Sequence, residues 1–231
     1  MRHGEHHYFV LHTTDLAATS RYFSELLGWE VVDGEIRNVA NFGAITESHE
    51  RSWWVHVDDC DAAAAKVVEL GGEVRQITDE RSGRNAVCLD DQGNPFHMGT
   101  LITEFQDHPH PPPLPEGELG YATFSVGDTG RAVDFYGALF GWEFTPPGEA
   151  GVREEYRHCT NGALPFGFRS DGDDSPHLYF RITDVEAARA RVVELGGSAP
   201  AVDVSESGRS LINGRDPVGV RFDLWEPAPG Y

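Results

Sequence analysis

The sequence has few cysteines and no long apolar segment. Its three cysteines, Cys60, Cys88 and Cys159, form no C-x-x-C pair, so neither a disulfide framework nor a zinc ribbon is indicated. No apolar run approaches the ~20 residues that cross a bilayer. The first ten residues, MRHGEHHYFV, lack the apolar segment of a secretory signal. We therefore expect a cytoplasmic protein with reduced thiols and no membrane partner.

Basic residues are also scarce. Lysine and arginine number 18 against 38 aspartates and glutamates, which gives a net charge of −20. This charge opposes a phosphate backbone, so we expect no nucleic-acid partner. It favours solubility and would attract a cationic ligand, although an acidic surface is common without one. The sequence has no nucleotide-binding glycine motif and no G-x-S-x-G, so neither a phosphate cradle nor a hydrolase is supported.

What the chain does contain is a repeat. Residues 55–72, VHVDDCDAAAAKVVELGG, return at 180–197 as FRITDVEAARARVVELGG. Earlier in each copy, YFVLHTTD…LLGWE returns as YATFSVGD…LFGWE. A proline-rich stretch, DHPHPPPLPEGE, lies between the copies and is typical of an extended linker. The repeat predicts a first domain at 1–104, a linker at 105–118 and a second domain at 119–231.

Each copy begins a β-α unit twice. An aspartate precedes each helical stretch as a candidate N-cap, and a glycine ends it in a position that suits a left-handed residue. These pairs are Asp15 with Gly28, Asp59 with Gly71, Asp128 with Gly141, and Asp184 with Gly196. Shorter strand candidates follow each helix. We predict an α+β fold of four βαβββ modules, forming two tandem domains with open cup-shaped sheets.

The strand before each aspartate alternates in character. Positions two, four and six before it are apolar in 11 of 12 cases, and this face is expected to pack against helices. The opposite face mixes aromatic, hydroxyl, imidazole and guanidinium groups, which suits a ligand. Together with residues of the closing strands, it predicts the following ligand-binding residues: Tyr8, His12, Trp54, His56, His97, Tyr121, Tyr179, Arg181, Arg221 and Trp225.

These side chains allow more than one reading. Aromatic walls suit planar or cationic ligands, or they could fill the space between the copies. An inward arginine could hold a carboxylate, or Arg221 could pair with nearby Asp223. Converging histidines at 12, 56 and 97 could bind a metal or move protons, or simply line a wall. His3, His6 and His7 are expected to form a frayed end.

The set of motifs resembles the vicinal oxygen chelate superfamily, which includes glyoxalase I, bleomycin- and fosfomycin-resistance proteins and extradiol dioxygenases. The resemblance rests on HTTDLAATSRYFSELLGWEV, DFYGALFGWEF, the two stretches ending in VVELGG, DDQGNPF and DPVGVRFDLWE, and covers nearly the whole chain outside the linker. The two-copy layout is most similar to actinobacterial tandem glyoxalase-like proteins. The resemblance implies the tandem-domain fold predicted above.

The resemblance also implies where a metal would be held. Its metal-dependent members use His, Glu or Gln on opening and closing strands. The matching opening positions here are Tyr8, Ser52, Tyr121 and His177, and the matching closing positions are His97 and Asp223. Neither copy supplies a complete set. The dioxygenase triad would read Tyr121, His177 and Asp223, in which a phenol is an unusual third ligand.

We therefore expect a protein, monomeric or homodimeric, that binds a small organic molecule without a cofactor. The alternative is a lyase, isomerase or dioxygenase in which His177 and Asp223 act as catalytic residues or as ligands of Fe, Mn, Ni or Zn. A third possibility is a structural role with the cups filled by side chains. The copies differ where chemistry would lie, and the second carries the His–Asp pair.

Overall fold

The structure is a computed structural model that describes residues 1–47, 53–102, 115–148, 155–170, 172 and 176–230. Ser52 and residues 105–114 of the predicted linker lie outside the described residues. No helix in the described ranges is long and apolar enough to span a bilayer.

The first sequence copy contains two modules. Module one has β1 (Glu5–His12), α1 (Leu16–Leu27), β2 (Val31–Val32), β3 (Glu35–Ile36) and β4 (Phe42–Thr46). Module two has β5 (Trp54–His56), α2 (Cys60–Glu69), β6 (Glu73–Glu80), β7 (Gly83–Leu89) and β8 (Pro95–Leu101).

The second copy repeats this order, except that within the described ranges module three has one strand fewer after its helix. Module three has β9 (Leu119–Ser125), α3 (Thr129–Phe140), β10 (Tyr156–His158) and β11 (Phe166–Arg169). Module four has β12 (His177–Arg181), α4 (Val185–Glu194), β13 (Val202–Ser205), β14 (Gly208–Arg215) and β15 (Arg221–Pro227).

Each copy forms one mixed sheet. The first has the strand order β2-β3-β4-β1-β5-β8-β7-β6, and the second has β10-β11-β9-β12-β15-β14-β13. Within each copy the opening strand of the second module runs parallel to its closing strand, β5 with β8 and β12 with β15. This arrangement confirms the predicted α+β class and the modular order.

Helices α1 to α4 begin at the predicted aspartates. In each, the Asp carboxylate accepts a hydrogen bond from a backbone N–H of the first turn, which satisfies a donor that the helix itself leaves unpaired. Gly28 and Gly141 end α1 and α3 with φ of 71° and 73°, a conformation that glycine adopts without strain.

The chain divides into two compact units that cut across the sequence copies. Unit 1 contains Met1–Tyr8, Arg51–Pro109 and Ala122–Pro176, and unit 2 contains Phe9–Glu50, His110–Tyr121 and His177–Tyr231. Unit 1 therefore combines modules two and three, and unit 2 combines modules one and four. β1 and β9 each contribute residues to both units. The domain bounds expected from the repeat, 1–104 and 119–231, follow the sequence copies and stay a prediction.

The core of unit 1 is aromatic and includes His6. The His6 ring is 7% exposed and stacks on Trp53 at 4.9 Å between centroids. It also stacks on Phe124 and Trp142. The expected frayed N-terminus is wrong for this residue, because β1 begins at Glu5 and pairs His6 with Val55 of β5.

The two units repeat one anchoring bond. In unit 1 the indole N–H of Trp142 donates to the carbonyl of Gly4 at 2.8 Å. In unit 2 the indole N–H of Trp29 donates to the carbonyl of Gly117 at 2.9 Å. Both tryptophans are buried, so each bond satisfies a polar atom that would otherwise be costly inside the core. The tryptophan that follows the helix thus anchors a distant glycine carbonyl in both units.

Candidate functional site

The predicted alternation of the opening strands is confirmed by burial. Phe9, Leu11, Val55, Val57 and Phe180 lie on the predicted core face and are at most 4% exposed. Residues of the opposite face are mostly half-buried, but His56, Thr123 and His177 are buried and Arg181 is exposed. The burial of these strands therefore agrees with the predicted core face, and the ligand-binding role of the opposite face stays a prediction.

His177 and Asp223 form a buried hydrogen-bonded pair in unit 2. His177 begins β12, and Asp223 lies in the adjacent parallel strand β15. His177 Nδ1 is 2.6 Å from Asp223 Oδ2, and the two side chains are 1% and 0% exposed. Because the carboxylate oxygen accepts, the proton lies on Nδ1. Any proton exchanged with a ligand would therefore use Nε2.

The second oxygen of Asp223 also has a partner. The backbone N–H of Asn213 in β14 donates to Asp223 Oδ1 at 2.6 Å. Each carboxylate oxygen thus accepts one hydrogen bond, from a side chain on one side and from the backbone on the other. Charge-assisted bonds of this kind are among the stronger hydrogen bonds in proteins.

Three aromatic side chains form a connected group beside the pair, and Tyr179 is the member in contact with His177. The ring of Tyr179 stacks near His177, with centroids 6.1 Å apart and planes 26° apart. Tyr121 meets Tyr179 edge to face at 6.0 Å and Trp225 at 6.5 Å. The indole N–H of Trp225 donates to the carbonyl of Ser207 at 3.2 Å. These three rings are half-buried, whereas the His177 side chain is only 1% exposed.

The two predicted arginines differ in setting. Arg181 is exposed at the end of β12, and its side chain lies against Gly120, where an added Cβ would be 2.4 Å from Arg181 Cγ. Gly120 is therefore required for this packing. Arg221 is half-buried at the start of β15. The sequence left open an Arg221–Asp223 ion pair. In the structure, the two oxygens of Asp223 instead accept hydrogen bonds from His177 and from the backbone of Asn213.

In the first sheet, the strands that match β12 and β15 are β5 and β8, which lie in unit 1 and carry Trp54 and His97. The indole N–H of Trp54 donates to Asn85 Oδ1 at 3.0 Å, and the ring lies over Gly99, where an added Cβ would be 2.7 Å from it. His97 is the Cα partner of Trp54 on β8, and Tyr8 is its partner on β1. Trp54 therefore packs along its own sheet and is held there by Asn85.

His56 is buried in the same unit. Its side chain is 2% exposed, and Nε2 is 3.9 Å from Asp58 Oδ1. Its Nδ1 has no hydrogen-bond partner among the described residues. Burial lowers the pKa of His56, and the nearby N-terminal charge lowers it further. His56 is thus uncharged near neutral pH. His12 lies in the other unit, unit 2.

The side chains were tested against the metal that the resemblance implies. Within the described ranges, no three His, Cys, Asp or Glu side chains gather closely enough to hold a metal ion, so His12, His56 and His97 form no such group. His177 Nδ1 and Asp223 Oδ2 bind each other, and Asp223 Oδ1 accepts from Asn213. As placed, the pair does not offer the three or four free donor atoms typical of such sites.

Asn213 was not predicted from the sequence, although a signal was present. The distance from Ser82 to Phe96 in the first copy is one residue shorter than the matching distance from Ser207 to Phe222. This extra residue is the bulge in β14, where the pairing with β15 shifts between Leu211 and Gly214.

A family model described as a glyoxalase-like domain matches residues 8–98 and 121–225. The chain is 25% identical to CFP32 of Mycobacterium bovis, which is named as a glyoxylase, over 99% of this chain and 97% of that protein. It is 26% identical to the anthracycline biosynthesis protein DnrV of Streptomyces peucetius, over 97% and 94%.

Solved structures show the same fold. Catechol 2,3-dioxygenase superimposes with a TM-score of 0.65 at 18% identity, covering 100% of this chain and 91% of that one. A mutant of homoprotocatechuate 2,3-dioxygenase from Brevibacterium fuscum gives a TM-score of 0.68 at 16% identity, covering 97% and 71%. At these identities the likeness concerns architecture alone.

Proposed function

Because the chain belongs to the glyoxalase-like domain family of the vicinal oxygen chelate superfamily, we propose that its second sheet binds a small planar organic molecule beside the His177–Asp223 pair. In this proposal the pair acts without a metal ion. The observation that carries it is the buried 2.6 Å hydrogen bond between His177 and Asp223.

Two features support a binding role. The carboxylate of Asp223 is engaged on both oxygens, so it orients His177 and presents a fixed polar group to a ligand. The half-buried rings of Tyr121, Tyr179 and Trp225 offer π faces for stacking with a planar molecule. Exposed Arg181 and half-buried Arg221 would favour a ligand that carries a carboxylate or another anionic group.

Ligand binding is tested by fluorescence titration. An anthracycline and catechol serve as probes, since related proteins carry these words in their names. We expect saturable binding that Trp225→Ala and Tyr179→Ala weaken by about 5- to 150-fold, the loss expected when stacking worth about 1–3 kcal/mol is removed. Trp54→Phe in the first sheet is the matched control and should leave the affinity unchanged. Equal weakening by all three variants would count against a site in the second sheet.

The absence of a metal role is tested separately. Purified protein is dialysed against Fe, Mn, Ni or Zn, and bound metal is measured by elemental analysis in the unaltered protein and in His177→Gln. The proposal expects no stoichiometric metal that depends on His177. One equivalent of metal, lost in His177→Gln, would overturn it and favour the metal-dependent lyase, isomerase or dioxygenase.

A second candidate is metal-free acid–base catalysis, which the same His177–Asp223 bond favours. An imidazole held by a carboxylate has a defined tautomer and direction, as a general base requires. On a substrate found among bound ligands, His177→Gln should lower kcat by about 100-fold or more, and Asp223→Asn should lower it with little change in ligand affinity. Full turnover in both variants would leave only the binding role.

We also propose that the protein acts in the cytoplasm, and the thiols support this setting. Cys60, Cys88 and Cys159 are free and buried, and burial raises the pKa of Cys60 to about 11 and that of Cys88 to about 12. Protonated thiols shielded from solvent support the expected cytoplasmic setting.

A further inference from the structure

The bulge opposite Asp223 distinguishes the second sheet from the first. In the second sheet, the pairing of β14 with β15 shifts by one residue between Leu211 and Gly214, so Ile212 and Asn213 both lie opposite Asp223. In the first sheet, β7 pairs with β8 residue by residue, and Val87 lies opposite His97. The extra residue is therefore placed at the strand position where one copy has Asp223 and the other has His97.

The backbone at the bulge is unusual. Asn213 has φ of 66°, and among the described residues the only other non-glycine with positive φ is Asp33. Asn213 is exposed, so burial of its side chain does not explain this conformation. A residue in the left-handed region directs its N–H away from the regular ladder, and here that N–H reaches Asp223 Oδ1 at 2.6 Å. Asparagine tolerates this conformation better than most residues.

We propose that Asn213 is a positioning residue whose backbone N–H fixes the carboxylate of Asp223, and through it the imidazole of His177. A carboxylate held by His177 alone could rotate about its last side-chain bond. The second bond, on the opposite oxygen, removes that freedom. The inference rests on the proposed role of the His177–Asp223 pair, but its test needs no ligand.

Two substitutions separate the backbone conformation from the side chain. Asn213→Gly keeps the N–H and favours positive φ, so it should preserve the arrangement. Asn213→Val keeps an N–H, but a β-branched residue resists positive φ, so the bulge should flatten and the bond to Asp223 should be lost. Asp33→Gly and Asp33→Val are matched controls, because Asp33 also has positive φ but lies in the turn between β2 and β3.

The test is nuclear magnetic resonance of labelled protein. In the unaltered protein we expect a scalar coupling across the hydrogen bond between the Asn213 amide nitrogen and the Asp223 carboxyl carbon. We also expect a downfield Nδ1 proton signal of His177, identified by its absence in His177→Gln. Asn213→Gly should retain this signal. Asn213→Val should exchange the proton about ten- to 100-fold faster, as expected for loss of a hydrogen bond to a charged group.

Asp33→Val should lose about as much free energy of unfolding as Asn213→Val does, but it should keep the His177 signal. Absence of the coupling in the unaltered protein would overturn the proposal even if Asn213→Val fails to fold. An unchanged His177 signal in folded Asn213→Val would also overturn it. Failure of ligand titration with the coupling present would instead overturn only the proposed binding function.

Discussion

Matched positions of the two copies carry different polar side chains, although their core positions are alike. Trp54 of β5 corresponds to Tyr179 of β12, and His97 of β8 corresponds to Asp223 of β15. Where the first copy has the half-buried His97, the second copy has the buried carboxylate of Asp223, which accepts two hydrogen bonds. A few residues thus give the second sheet a polar pair that the first does not share at these positions.

The bond to His177 should contribute to stability as well as to the site. Asp223→Asn removes the charge of a fully buried carboxylate and weakens two hydrogen bonds, so we expect about 2–4 kcal/mol less free energy of unfolding. Urea denaturation measures this change. Asp203→Asn, at an exposed position of β13, is the control and should stay within about 0.5 kcal/mol of the unaltered protein. Equal stability of the two variants would contradict a strong buried pair.

His56 should make stability fall in mild acid. Burial lowers its pKa in the folded protein, whereas in the unfolded chain a histidine has a pKa of about 6.5. As the pH falls below about 6.5, the unfolded chain binds a proton that folded His56 resists, so stability declines by at most about 1.4 kcal/mol per pH unit.

This contribution is measured by urea denaturation between pH 7.5 and pH 5. His56→Gln should show a smaller decline than the unaltered protein. Val57→Ala, a buried neighbour that does not titrate, should lower stability at every pH without changing the slope. The same slope in His56→Gln as in the unaltered protein would disprove the contribution of His56.

At the scale of elements, the helices were predictable because their signals are local. An aspartate that caps and a glycine that ends a helix act within one turn, so their positions in the sequence define the element. The strands of modules one and three were less predictable, since β2 and β3 have two residues each and β10 has three. The bulge in β14 depends on a single inserted residue, and its role depends on Asp223 of a neighbouring strand.

The caps should have measurable energies. The Asp128 carboxylate accepts a hydrogen bond from the N–H of Arg131, so Asp128→Ala should lower the free energy of unfolding by about 0.5–2 kcal/mol. Thermal or urea denaturation gives the value. Asp134→Ala on the exposed side of the same helix is the control and should have little effect. A loss as large at Asp134 as at Asp128 would show that charge, and not capping, stabilises α3.

At the scale of the whole molecule, the sequence predicted four modules but left open which of them pack together. The spacing of the repeat and the proline-rich stretch show where each module lies along the chain, but they do not show which modules are in contact. The compact units instead join module two to module three and module one to module four, because the aromatic surfaces that close each core come from distant parts of the sequence. Trp53 with Phe124, and Phe9 with Phe180, are such contacts.

The two sequence copies should therefore not fold independently. Residues 1–104 lack the part of unit 1 that begins at Ala122, and residues 115–231 lack the part of unit 2 between Phe9 and Glu50. We expect neither fragment to be a monomer with cooperative unfolding, whereas the two expressed together should restore a single complex with near-native aromatic circular dichroism. A monomeric, cooperatively unfolding single fragment would contradict this expectation.

The division into units also orders events during synthesis. All segments of unit 1 have been made once the chain reaches Pro176, but unit 2 needs residues 177–231 to join Phe9–Glu50. At ordinary translation rates the delay is on the order of several seconds. The chain segments that separate the parts of unit 2 are also longer than those that separate the parts of unit 1, so closing unit 2 costs more chain entropy. Module one must therefore wait with the apolar faces that pack in unit 2 uncovered. The nascent chain is then most exposed to aggregation through the segment that begins at Phe9.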